Sequence, residues 1–176
     1  TVPSNIAPLN LMVEDADYIQ ASFSHNGIEG LRVKGKDGVI RIPFKKWQEF
    51  VKTAEGGNID VQVSVWNQEC PEGMACASFP IHVVKDGIDP WISYRLIEPG
   101  YVGWRQLGIY QREMSSFEET PIVTNRASNT TCLNCHNYPS YSPESMMFHA
   151  RGKNGGTILY NKGKLSKIDF KSIGPK

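Results

Sequence analysis

Hydrophobic and polar residues alternate through much of the first half of the chain. Ile59, Val61, Val63 and Val65 interleave with Asp60, Gln62 and Ser64, the period-two signature of a strand with one buried face, ending near Trp66. Leu31-Arg-Val33 and Val39-Ile-Arg-Ile42 flank Lys34-Gly-Lys-Asp-Gly38, whose glycines supply the positive φ of a tight turn and predict a hairpin. Between Phe44 and Ala54 the period changes. Phe44, Trp47, Phe50 and Val51 fall on one helical face, and Gly56-Gly57 ends the run. Further strands are predicted at Phe79 to Val84, Trp91 to Ile97 and around Leu107 to Arg112, punctuated by Asp86-Gly and Asp89-Pro.

Short strands at this spacing around a single helix predict a mainly β fold, with an antiparallel β-sandwich of the immunoglobulin or fibronectin kind over residues 1–115. Such a sandwich hosts many activities and identifies none. After Met114 the composition shifts. Residues 116–155 are rich in Ser, Thr, Asn and Gly, with Pro139 and Pro143 set against a long helix, and read as an irregular segment that a bound group would organise. Residues 156–176 read as a terminal β-hairpin, Gly156 to Tyr160 and Leu165 to Phe170 about Asn161-Lys-Gly163.

Composition narrows the classes of function. A 176-residue chain at 40 % hydrophobic content builds one ordinary core, or a domain with an appended piece. Nineteen basic side chains nearly balance eighteen acidic ones along the whole length, so no field steers nucleic acid or an anionic membrane toward it. No apolar run approaches the roughly 20 residues of a membrane-spanning helix. The opening Thr1 to Pro8 lacks both an initiator Met and a secretory apolar region, and the expectation is that a leader or anchor has been removed.

Chemistry enters with the four cysteines. Cys132-Leu-Asn-Cys135-His136 is a complete C-x-x-C-H. Two thiols at this spacing can each add to a porphyrin vinyl group, and the adjoining imidazole then serves as an axial ligand to the iron. The expected cofactor is one covalent haem c. Zinc would want a second pair of ligands, and the nearest other cysteine lies 56 positions upstream. A thioredoxin-like pair would open a helix in a βαβ setting that the surrounding pattern lacks, and a plain Cys132–Cys135 disulfide is the remaining alternative. Cys70-Pro-Glu-Gly-Met-Ala-Cys76 is a short loop that a disulfide could close, and both cysteine pairs suit a periplasmic or outer-membrane-associated location in a bacterial envelope.

For the second face of the iron the expected ligand is His149, 13 residues beyond His136, with Met146 and Met147 as alternatives in the same stretch. Arg126, Arg151 and Lys153 are candidates to pair with haem propionates, and Tyr138, Tyr141 and Phe148 are candidates to wall the porphyrin. Gly152-Lys-Asn-Gly-Gly156 lacks the order of a phosphate loop and reads as a turn. His25 and His82 read as structural or exposed.

Several blocks together resemble a known family. Asp89-Pro-Trp-Ile-Ser-Tyr-Arg-Leu-Ile-Glu-Pro-Gly-Tyr101, Leu107-Gly-Ile-Tyr-Gln-Arg112, Cys132-Leu-Asn-Cys-His136, Met146-Met-Phe-His-Ala-Arg-Gly152 and Gly155-Gly-Thr157 occur in the order seen in TolB-like envelope lipoproteins of Gram-negative anaerobes with a cytochrome c-type motif. The resemblance implies haem attachment at Cys132, Cys135 and His136, puts His149 at the position of the family's histidine, and makes the terminal hairpin the first strands of a TolB-type β-propeller. The family's lipidated amino-terminal cysteine and its carboxy-terminal propeller lie outside these residues. The leading functional expectation is one-electron transfer to a separate redox partner through a six-coordinate haem. The alternatives are an interaction or scaffold domain, glycan-binding in one version, carrying a Cys132–Cys135 disulfide, and an open iron site for peroxidase or gas chemistry.

Overall fold

The computed structural model describes residues 1–97, 107–129 and 132–168. The chain is mainly β and divides into two compact units, Thr1–Trp91 with Glu113–Phe117, and Ile92–Arg112 with Glu118–Lys176.

In the first unit eight strands form one sheet: β1 (Val2–Pro3), β2 (Leu11–Met12), β3 (Tyr18–His25), β4 (Ile28–Lys36), β5 (Val39–Ile40), β6 (Asn58–Trp66), β7 (Met74–Ala75) and β8 (Phe79–Val84). Strand β3 is central because both of its edges find partners whose alternation matches its own. Ile19, Ala21 and Phe23 stand opposite Val65, Val63 and Val61 of β6, so every inward residue meets an inward residue. The hairpin predicted at Lys34 to Gly38 forms, with Lys36 opposite Val39 and with Asp37 and Gly38 both left-handed at φ 51° and 68°.

Helix α1 (Phe44–Thr53) covers the core, burying Trp47, Phe50 and Val51. The Trp47 ring meets Phe23 edge-on with centroids 6.0 Å apart, and its Nε1–H donates to the Ile6 carbonyl at 3.1 Å. Phe44, expected on the buried face, is exposed; it occupies the first helical position, a turn ahead of the first buried side chain. The mainly β fold expected over residues 1–115 is present here as this one continuous sheet, with α1 and the partly buried Ile6 and Leu9 packed on the same core. One pair, β1 with β8, is parallel.

The cysteine loop of this unit also departs from expectation, since Cys70 and Cys76 are free thiols. Hydrogen bonds hold the loop instead. Asn67 Oδ1 accepts from the Glu69 and Cys70 amides, Cys70 accepts from the Gly73 amide, and the Cys76 carbonyl accepts from Gln62 Nε2.

The second unit contains a three-stranded sheet of β9 (Trp91–Leu96), β10 (Gly108–Glu113) and β11 (Glu119–Thr124), with β10 in the middle, and the short helix α2 (Asn125–Ser128). It also contains a four-stranded antiparallel meander of β12 (Cys132–Asn137), β13 (Ser145–Arg151), β14 (Gly156–Asn161) and β15 (Lys164–Ile168). Ile92–Arg112, expected with the first domain, belongs here.

The segment 116–155 is not irregular. Strands β11, β12 and β13 lie within it, and the two prolines fall in the β12–β13 connection, where they interrupt no ladder. The terminal hairpin forms, with Asn161 opposite Lys164 across Lys162 and Gly163, but as the last half of a meander. Glu98 to Tyr101 of the family-like block, and Asp169 and Phe170 of the predicted last strand, lie outside the described residues. Leu107, Ile109, Leu133, Met146, Phe148 and Ala150 make this unit's core. Among the described residues no helix is long and apolar enough to cross a membrane.

Candidate functional site

The C-x-x-C-H lies in strand β12, at one edge of the meander. Leu133 is fully buried opposite Ala150 and anchors the strand to the core. Cys132 stands opposite Arg151, and Asn134 opposite His149. The ladder then slips, because three steps along β12, from Asn134 to Asn137, match only two along β13, from His149 to Met147. The extra residue makes a β-bulge, and within it Cys135 is left-handed at φ 54°.

A non-glycine residue in that region carries a backbone cost of about 1–2 kcal/mol. Ser140 and Tyr141, in the following turn, are left-handed as well. Strain of this kind gathers at functional sites, and here it has a geometric effect. In an unbroken strand His136 would share the face of Cys132 and Asn134. The bulge reverses the facing, so Asn137 falls opposite Met147 and the side chains of His136 and Tyr138 turn toward the core side. The contacts agree. The Tyr138 ring packs against the core and meets the His136 ring edge-on at 6.5 Å, while His136 Nε2 donates to the Ser93 carbonyl of β9 at 3.3 Å and the Tyr138 and Ser93 hydroxyls share a bond at 2.9 Å.

All four cysteines are free; Cys135 is exposed, while Cys132 and His136 are half-buried. Among the described residues no three His, Cys, Asp or Glu side chains gather as a metal-binding group, so the zinc alternative finds no further ligand set. The thioredoxin-like alternative needs a helix start where the chain has a strand.

Strand β13 sorts the other candidates by face. Met146, Phe148 and Ala150 are buried on the core side, and Met147, His149 and Arg151 alternate onto the other. His149 stands opposite Thr157 and shares a hydrogen bond with its hydroxyl at 3.2 Å. The structure therefore brings His136 to the side of Met146, and places His149 with Cys132 and Arg151. Arg126 is exposed on α2, and Lys153 is exposed in the turn after β13. Tyr141, expected as a wall, is 91 % exposed.

A cleft of about 440 Å³ opens between the two sheets of this unit, on the core side of the meander. Tyr138, Met146, Phe148 and Tyr160 line it, facing Ile122 and Val123 of β11. Comparison of the chain with protein-family models, curated proteins and solved structures finds no match. No motif in the sequence marks Tyr160 or Ile122. The alternation of Ile158 and Tyr160 along β14 would have put Tyr160 on the face of Met146, its partner in the ladder. Ser93, too, becomes visible only once β9 is placed beside the motif.

Proposed function

We propose that the chain carries one covalent haem c and serves one-electron transfer in a bacterial envelope. The observation that carries this reading is the bulge inside the C-x-x-C-H, which leaves both thiols unbonded and at least partly open to solvent while turning His136 to the side of the strand opposite Cys132.

The residues fit the group. Each cysteine thiol can add across a vinyl double bond, sulfur to one carbon and hydrogen to the other, so no atom leaves and no oxidant is consumed. His136 can offer an imidazole nitrogen to iron. Its present bond to Ser93, long at 3.3 Å, is worth only about 1 kcal/mol net. When bound, haem supplies an iron that gains and loses one electron. Tyr138, Phe148 and Tyr160 line the cleft on the core side, and Arg151, directly across from Cys132 on the other face of the sheet, offers a guanidinium for a carboxylate.

The chain's β-meander of four strands has the form of a propeller blade, which suits the resemblance to TolB-like lipoproteins. The test is a pyridine haemochrome spectrum on protein exported from a host with a working haem-attachment system, after acid–acetone extraction. A c-type spectrum that stays with the polypeptide is expected; colourless protein would overturn the proposal.

A further inference from the structure

We propose that the free edge of strand β4 is a docking site for an extended peptide segment of another protein. The segment alternates acidic with apolar residues and adds to the sheet as a further strand beside helix α1. The site lies wholly in the first unit and stands apart from the haem reading.

The edge is open because β4 has a long partner on one side only. It pairs with β3 from Ile28 to Lys36, whereas its pairing with β5 is confined to Lys36 opposite Val39. Among the described residues the backbone from Ile28 to Lys34 has no second ladder partner. In an antiparallel strand alternate residues aim their amides and carbonyls at opposite edges, so a row of donors and acceptors here turns outward at the spacing of another strand. An added peptide satisfies them, and main-chain bonds of this kind give affinity while the side chains give selectivity.

One face of β4 is apolar. The β3–β4 ladder slips once, where a single step on β3 from Ser24 to Phe23 spans two on β4 from Glu29 to Leu31. The extra residue puts Ile28 and Leu31 on the same side, opposite His25 and Phe23, although three positions separate them. Between this side and α1 runs an open groove of about 660 Å³. Phe50 and Leu31 make its floor, and Ile28, 74 % exposed, extends it at the hairpin tip. A Cβ at Gly30 would run into the Phe50 ring, so glycine there lets the ring lie against the strand. Lys46 and Glu49 stand on the helix side of the groove and offset each other's charge.

The opposite face is basic. Arg32, Lys34 and Lys36 take three successive positions on it, across from Ser22, Gln20 and Tyr18, and all three are exposed. Arg32 pairs with Glu29 at 2.5 Å, while Lys34 and Lys36 make no ion pair among the described residues. A second copy of β4 laid along this edge would set basic side chains against basic ones, whereas an acidic strand meets them with opposite charge. The occupant that suits both faces carries Asp or Glu on one side and Val, Ile or Leu on the other.

The experiment uses the full chain and three synthetic peptides: acetyl-(Glu-Val)₄-amide, its counterpart with Lys for Glu, and the acidic peptide N-methylated at its three central residues. Calorimetric titration should show saturable binding of the acidic peptide, with slowed hydrogen exchange at the amides of β4. The Lys and N-methylated peptides should bind at least about ten-fold more weakly, since one meets like charge and the other has lost main-chain donors. Lys34→Glu with Lys36→Glu should reverse the preference toward the Lys peptide. No binding of the acidic peptide, equal binding of the N-methylated one, or protection that spares β4 would overturn the proposal. So would a dimer of the unaltered chain, seen by ultracentrifugation, whose formation slows exchange in β4, because the edge would then belong to a second copy. Should the charge-reversed chain fail to fold, the ranking of the three peptides on the unaltered chain decides alone.

Discussion

Met146 and His149 stand three residues apart on strand β13 and face opposite sides of the sheet. On a helix the same spacing would put them on one face, where either could approach a common metal. The extended conformation separates them, giving the core side to the methionine and the outer side to the histidine. The bulge at Cys135 decides which of the two shares a side with His136, while Cys132 keeps to the side of His149.

The thiols give a direct check on haem-free protein. In denaturant without reductant all four cysteines should react with an alkylating reagent, as no disulfide is present. In the folded state Cys135 should react fastest, since it is the exposed one. Peptide mass mapping over a time course reads the order; Cys132 and Cys135 resisting reagent until reduced would contradict the structure.

Leu133 ties the motif strand to its core. Leu133→Ala should cost about 2–5 kcal/mol, because the side chain is fully buried against Ala150 and its removal leaves a cavity. Asn134→Ala, one position along and exposed, should stay within about 0.5 kcal/mol. Urea denaturation of the haem-free chain measures both, and equal effects would contradict the facing assigned to β12.

Two hairpin glycines should respond differently. Gly163 is left-handed at φ 81° with open space around any Cβ, so Gly163→Ala should cost about 1 kcal/mol for the backbone alone. Gly38, at φ 68°, has the Val13 carbonyl where a Cβ would go, so Gly38→Ala should cost more than that. Thermal melts order the two; a harmless Gly38→Ala would contradict the packing of the β4–β5 turn.

Much of the first unit was legible because its signals are local. The alternation from Ile59 to Val65, the turn at Asp37-Gly38 and the helix ending before Gly56 each arise from neighbouring residues, and each stands as expected. The parallel β1–β8 pair joins Val2 to Val83, and β3 meets β6 through pairs such as Tyr18 with Trp66; no local pattern encodes such distant partners.

The candidate site divides the same way. Its chemistry is written in five consecutive residues, but its geometry is not. Polar composition and two prolines disguised β11 to β13 as irregular chain, although Met146, Phe148 and Ala150 alternate with Met147, His149 and Arg151 as a strand should. A left-handed cysteine has no sequence signature, and without the bulge it creates, His136 could not be assigned a side.

The most direct test of the central claim is the intact mass of the exported protein, set beside that of Cys132→Ala/Cys135→Ala prepared in the same way. The account predicts that the unaltered chain carries the added mass of one protohaem with no loss of hydrogen, and that the double variant weighs only what its amino acids weigh. An unaltered chain at its bare polypeptide mass, from a host that matures other C-x-x-C-H proteins in the same culture, would contradict it.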